Sequence, residues 1–281
     1  MKTPMAASVR IAKTTVVLTL LAAASGCAYI GGATVTSKVL TRNLSEPLNG
    51  ARSILVDINT GSGNLVIDRL TGGEPVLASG DLQYVESQGV PVSSVQTTGS
   101  RAALTLKGGA DRTPRFNWPP WKACTTAATD WQIHLNPAIS SEISARSGGG
   151  NFKLNLAGMA ITRLAAETGG GDMDVVLPDN AADLEVAART GGGNVTIEIG
   201  SGTTGINKLD AGSGAGNMVV RVPSGMAARI HATSGLGKVI VDPRFAKLDK
   251  ETYQSADYEG AASKVDITVK SGAGNVSVNT K

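Results

Sequence analysis

Aromatic residues are scarce in this chain: three Trp, four Tyr and three Phe in 281 residues. Charged residues make up 17%, against about 25% in an ordinary globular chain. Two Cys cannot build a disulfide framework, and two His argue against multi-histidine metal chemistry. These scarcities do not describe a disordered polymer, because 41% of the residues are hydrophobic. Glycine is abundant, at 35 residues, but it does not recur at every third position, which excludes collagen. The core must therefore come from small and β-branched side chains, with glycine at many corners.

The first 27 residues read as an export signal. Lys2, Arg10 and Lys13 precede a short apolar run, Val16 to Ala24, that ends in small residues. Ala24-Ser25-Gly26-Cys27 resembles the lipobox of bacterial lipoproteins, which implies lipidation at Cys27; Ala24 stands where that family usually has Leu. Cleavage after Ala22-Ala23-Ala24 and retention of Thr14 to Ser37 as a spanning anchor are the competing readings. Gly and Ser in mid-segment make a poor spanning helix, which favours the lipoprotein. All three readings put the folded part outside the cytoplasm, in the periplasm or at the cell surface. Residues 28–50, with Gly31-Gly32, Pro47 and Asn49-Gly50, read as a tether.

Loss of the leader removes three basic residues and leaves 23 basic against 23 acidic. The formal net charge of +3 therefore belongs to the leader, and the electrostatic argument for a nucleic-acid partner disappears.

Seven copies of one motif organise the remainder: aliphatic, any, Ala/Ile/Val, any, Ser/Thr, Gly, any, Gly, then Asn, Asp or Lys. The corners are Gly61, Gly63 and Asn64; Gly148, Gly150 and Asn151; Gly169, Gly171 and Asp172; and Gly191, Gly193 and Asn194. Gly214, Gly216 and Asn217; Gly235, Gly237 and Lys238; and Gly272, Gly274 and Asn275 follow. From Asn151 the steps are 21, 22, 23, 21 and then 37 residues. Strict alternation follows the anchors, as in Phe152, Leu154, Leu156 and Val195, Ile197, Ile199, which marks strands with one buried face. Prolines such as Pro178, Pro223 and Pro243 close several of these strands.

A unit of about 22 residues cannot bury its own apolar face, so the pattern predicts an all-β, single-domain β-solenoid over 51–281. Each rung would hold two short strands joined by Pro and Gly turns. Glycine is expected at corners that visit positive φ, and stacked Ser/Thr and Asn should form ladders. The column Ile58, Ala145, Ala166, Ala188, Ala211, Ala232, Val269 should pack inside, and Arg146, Glu167, Arg189 should alternate charge outside.

The repeated Ser/Thr-Gly-x-Gly-Asn/Asp, the alternating aliphatics after it and the mid-rung Pro resemble the bacterial adhesin-like β-strand-repeat family, also called toast-rack domains. The resemblance covers about 51–281. It implies an extracytoplasmic β-solenoid, often membrane-anchored, with links to adhesion or envelope stress, and it supplies no catalytic residues.

Two insertions interrupt the repeats, at about 108–130 and 242–263. The first carries Arg115, Phe116, Trp118, Trp121, Lys122 and Cys124. Exposed aromatics beside basic residues suit an envelope glycan, lipid headgroup or protein partner; the competing reading is a loop folded back as an end cap, with Cys124 a buried thiol. The second, with Phe245, Tyr253 and Tyr258, reads the same way.

Chemistry is thinly represented. His134 and His231 lie in strand patterns. The glycine motifs differ from nine-residue calcium β-rolls in period and carry mostly Asn, so no metal and no cofactor is expected. Glycosidic enzymes on β-helices need clustered carboxylates, whereas the neighbours of Asp172 and Asp174 are Asn151 with Lys153 and Asn194 with Thr196. The sequence thus points to a non-catalytic, lipid-anchored envelope module, structural or adhesin-like. A sensor or regulator of envelope stress is the alternative, and a polysaccharide-active enzyme the remote one.

Overall fold

The structure, a computed structural model, describes residues 38–72, 75–109 and 129–281. The expected leader with Cys27, and the insertion residues Arg115, Phe116, Trp118, Trp121, Lys122 and Cys124, lie outside them. Apart from one 3-10 turn at Glu86–Gln88, every regular element among the described residues is a strand.

The strands are β1 (Val39–Pro47), β2 (Ser53–Asn59), β3 (Asn64–Arg69), β4 (Val76–Val85), β5 (Val92–Thr98), β6 (Arg101–Lys107) and β7 (Asp130–Leu135). The middle of the chain supplies β8 (Ser140–Ser147), β9 (Phe152–Asn155), β10 (Ile161–Thr168), β11 (Met173–Val176), β12 (Glu185–Thr190), β13 (Val195–Glu198), β14 (Ile206–Ser213) and β15 (Met218–Val222). The chain closes with β16 (Ala227–Ser234), β17 (Val239–Val241), β18 (Ala246–Lys247), β19 (Thr252–Gln254), β20 (Lys264–Ser271) and β21 (Val276–Thr280).

They form two mixed sheets and no closed barrel. Sheet A has ten strands in the order β1-β4-β7-β3-β9-β11-β13-β15-β21-β17, and sheet B has eleven in the order β18-β19-β16-β20-β14-β12-β10-β8-β2-β6-β5. The middle of each sheet is parallel and the ends carry antiparallel pairs such as β1 with β4 and β5 with β6. Each glycine corner joins one strand of sheet B to one of sheet A, so a corner and its two strands make one layer.

Within each layer the period of two sends alternate side chains into the space between the sheets. The column Ile58, Ala145, Ala166, Ala188, Ala211, Ala232, Val269 is buried throughout, as are Phe152, Met173, Val195, Met218 and Val276 on the facing sheet. One continuous apolar cluster runs from Leu44 near one end to Phe245 near the other.

The order of the layers departs from the order of the chain at both ends. The last strands, β20 and β21, do not lie at the edge: they insert between β14/β15 and β16/β17. The first layer, β2/β3, likewise sits between β6/β7 and β8/β9. The stretch 65–142, an interruption in the sequence pattern, thus contains an eighth layer, with Asp130 opposite Asn64 in the anchor column. A further correction concerns the tether: residues 39–47 of the segment 28–50 form β1, paired with β4.

Candidate functional site

The corners come first, because they position everything the layers display. From Asn64 to Asn275 each anchor side chain accepts a hydrogen bond from the backbone N–H of the next layer's anchor, whereas Asp130 accepts from the Asn64 side-chain amide at 2.8 Å. Asn64 Oδ1 takes Asn151 N at 2.9 Å, Asn151 takes Asp172 N at 2.9 Å, Asp172 takes Asn194 N at 2.8 Å and Asn194 takes Asn217 N at 3.0 Å. The run then follows spatial order: Asn217 to Asn275 N, then Asn275 to Lys238 N, each at 2.9 Å. Lys238, the one anchor without an acceptor side chain, occupies the last layer, where no further N–H follows. Beside this ladder the hydroxyls of Thr168, Thr190, Ser213, Ser271 and Ser234 donate to glycine carbonyls of adjacent layers at 2.7–3.0 Å.

Positive φ, the expected reason for glycine, applies at Gly61, where φ is 73° and a Cβ would meet nothing within 4 Å; the second glycine of each corner has another reason. Positive φ occurs at Gly63, Gly150 and Gly171, but Gly193, Gly216, Gly237 and Gly274 are not in that region. What all of these share is close approach. A Cβ on Gly193 would stand 2.0 Å from the carbonyl oxygen of Gly171, and one on Gly216 would stand 1.8 Å from that of Gly193. Backbone stacked on backbone leaves no room for a side chain, whatever its φ.

The outer face of sheet B displays charge in rows. In spatial order one row reads Glu142, Arg163, Glu185, Lys208, Asp266, Arg229, alternating in sign at every step. Ion pairs run along it at Arg163–Glu185, 3.7 Å, and from Arg101 to Glu142, 3.0 Å. The second row, Arg146, Glu167, Arg189, is realised in part: Arg146 meets Glu167 at 3.4 Å and Asp57 at 3.8 Å, while Arg189 turns to Asp210 at 3.1 Å. Between the rows Ala165 and Ala187 floor a shallow trough whose walls include Arg163, Glu185, Lys208 and Asp266. Such a surface can offer paired charges and hydrogen bonds to a polar ligand.

The eighth layer carries the first insertion at its corner. Leu106 and Lys107 end β6, Gly108 and Gly109 begin the turn, and the chain resumes at Thr129, whose carbonyl accepts from Asn64 N at 2.8 Å. Gly109 is pressed against the carbonyls of Gln88 and Gly89. Gly109 and Thr129, the described residues on either side of 110–128, thus both belong to one corner. The sequence signal was present in Leu104-Thr-Leu-Lys-Gly-Gly109 followed, after the insertion, by Asp130 and the alternating Trp131, Ile133, Leu135. Trp131 belongs to the core rather than to a recognition surface: it is 1% exposed and its Nε1 donates to Gln83 O at 3.0 Å.

Polar side chains seal both ends. Arg42 on β1 reaches across to sheet B, donating to Ser93 Oγ at 2.8 Å and to the Pro91 carbonyl. Glu46, 2% exposed, lies beside it with Oε1 unpartnered; burial pushes its carboxyl up, against the pull of the Ser93 hydrogen bond and the Arg42 charge. At the far end the second insertion folds back. Tyr258 is buried, its hydroxyl donates to the Asp266 carboxylate, and Arg229 and Lys264 lie 4.3 and 4.8 Å from its ring centre. Burial, then that hydrogen bond and the carboxylate charge, push the phenol up to about 12. Phe245 is buried under Arg244, and Tyr253 packs against the core.

His134 pairs with Asp68 across neighbouring strands and His231 lies 3.5 Å from Glu251. Among the described residues no three His, Cys, Asp or Glu side chains gather as metal ligands, and no helix is long and apolar enough to cross a membrane.

With this geometry in place, the chain can be set beside known proteins. The family described as the N-terminal domain of toast_rack, DUF2154, matches residues 34–198. No curated protein matches. Among solved structures, a "putative cell adhesion protein" from Clostridium sporogenes is similar over 87% of this chain and 100% of its own, at 19% identity and a TM-score of 0.65. A "putative adhesin" from Bacteroides fragilis covers 86% and 97% at 11% identity, with a TM-score of 0.36. The first of these shares the fold.

Proposed function

Since this chain belongs to the toast-rack N-terminal domain family, we propose that it is a non-catalytic envelope lipoprotein whose layers form a β-solenoid of about 22-residue rungs and serve as a binding scaffold. Lipidated Cys27 anchors it to the extracytoplasmic side of the membrane. Arg115, Phe116, Trp118, Trp121 and Lys122 form its recognition element for an envelope glycan or protein.

One observation supports this reading: Gly108, Gly109 and Thr129, the described residues that flank 110–128, are held by backbone contacts at a single corner of the stack. A loop on a rigid base is the usual way a β scaffold presents a binding surface. The adhesion protein of similar fold from Clostridium sporogenes supports the same kind of role.

Wild-type protein is expected to retain envelope glycan or protein in a pull-down, and Trp118→Ala with Trp121→Ala to lose it while melting unchanged. Retention by the double variant would remove the loop from the reading. If deletion of the whole protein alters envelope-stress output while isolated protein binds nothing, the regulatory alternative takes its place.

A further inference from the structure

We propose that the end of the molecule bearing Lys38 is a membrane-contact surface, so that the stack stands away from the bilayer with the Leu236 end outermost. The proposal rests on the lipid-anchored reading above and adds an orientation to it.

The chain enters the fold at this end. Val39 opens β1, the edge strand of sheet A, and the Lys38 carbonyl accepts a hydrogen bond from Glu86 N at 2.9 Å. Glu86 starts the 3-10 turn that leads into Val90-Pro91-Val92. Val90 and Val92 are 49% and 59% exposed, although both flank the buried Pro91. Val92 is paired with Lys107 across β5 and β6, and Lys38 and Lys107 are both exposed. Two solvent-facing valines between two lysines therefore sit within a few residues of the point where the tether arrives.

The lengths agree. Ten residues, 28–37, separate Cys27 from the first described residue, a reach of at most about 35 Å. A sheet of ten strands spans about 45 Å at the usual strand spacing of about 4.8 Å. The near end rests at the headgroups without stretching the tether, whereas the far end is beyond its reach unless the molecule lies down. The far end carries more such groups, with Leu236, Ile240 and Leu248 exposed near Lys238, Lys247 and Lys250, so the tether selects the near end by holding its valines and lysines at high effective concentration beside the lipid.

The test uses the full-length lipidated chain in vesicles of three parts phosphatidylethanolamine to one part phosphatidylglycerol, containing nitroxide-labelled lipid. In a Cys124→Ser background, a fluorophore is placed at Val92→Cys or at Leu236→Cys; Leu236 is 87% exposed at the other end. Quenching at 92 is expected to exceed that at 236 at least twofold, and Val90→Asp is expected to reduce the quenching at 92 about twofold. Equal quenching, or stronger quenching at 236, overturns the orientation. Alkaline washing of the same vesicles separates the two claims: protein that stays bound but is unquenched at 92 defeats only the orientation, and protein that washes off, with no lipid mass on the Cys27 peptide, defeats the anchor and the orientation with it.

Discussion

The middle of the stack and its two ends are built from the same corner, yet they follow different rules. From β8 to β15 each layer lies on its predecessor in the chain, so contacts are local in sequence at steps of 21 to 23 residues. At each end the terminal layer of the repeat is drawn one place inward, and the outermost position is left to strands that fold back antiparallel, except for β17, which stays parallel to β21. Chain termini fray and exposed sheet edges invite pairing with other chains. Placing β2/β3 and β20/β21 inside gives both their edges a neighbour. Of the edges left over, β17 and β18 are short, and β1 carries Arg42, whose side chain bonds across to Ser93 and the Pro91 carbonyl.

The largest expected effect breaks the comparison directly. Deletion of 264–281 removes an interior layer and leaves β16/β17 with no partner against β14/β15. A loss on the order of 5 kcal/mol or more is expected, with backbone exchange protection collapsing from β14 to β17 while β8 to β11 stay protected. Loss of protection confined to the extreme C-terminus would mean that the layers follow chain order.

Substitution at one corner sharpens the same contrast. Gly193→Val forces a branched side chain into the Gly171 carbonyl, contact that only backbone movement can relieve, and is expected to cost about 3 kcal/mol. Gly192 is its neighbour, but a Cβ there meets nothing within 4 Å; Gly192→Val should stay within about 0.5 kcal/mol of wild type. Thermal melts of the two variants decide whether stacking, rather than corner flexibility, sets the need for glycine.

The middle was legible because its information is local. A period of two, a fixed corner and an even step specify strands, buried columns and neighbours without knowledge of distant residues. The ends were not, because nothing in a linear reading distinguishes a layer that follows from one that is inserted later. Two clues existed. Lys238 breaks the acceptor column where the ladder ends, and Lys208 and Arg229 are like charges in succession until Asp266 is placed between them. The insertion at 110–128 was legible only as composition. Its attachment to a corner became visible once Asp130 took its place opposite Asn64, a pairing hidden by the residues between Gly109 and Thr129.

Acid should act oppositely on the two ends. At the near end the folded state raises the Glu46 carboxyl above its ordinary 4.5, chiefly through burial. Between those two values the native chain holds a proton that the unfolded chain releases, so this group's contribution falls as pH rises through that window. Glu46→Gln is therefore expected to stabilise by about 1 kcal/mol at neutral pH, with the gain vanishing below pH 4. At the far end Asp242 is held below its ordinary 3.8, first by the hydrogen bond from Arg244 N and then by Thr280. Its contribution is present above the ordinary value and is lost as pH falls through the lowered one. Asp242→Asn should flatten the acid limb of the melting curve that Glu46→Gln leaves intact.

The smallest effect carries the finest discrimination, because its sign depends on which layer lies beside which. Lys208 stands between Glu185 and Asp266 on the outer face of sheet B. Lys208→Glu places three negative charges in succession and should cost about 0.5–1 kcal/mol at low salt. At 1 M salt, where the screening length is about 3 Å, most of that loss should be recovered. Were the layers stacked in chain order, position 208 would lie between Glu185 and Arg229, and the new repulsion would be offset by a new attraction. The variant would then melt close to wild type at every salt concentration. A salt-dependent deficit, matched by Asp266→Lys through the opposite cluster of Lys208, the introduced lysine and Arg229, is thus the electrostatic signature of a last layer inserted before the one that precedes it in the chain.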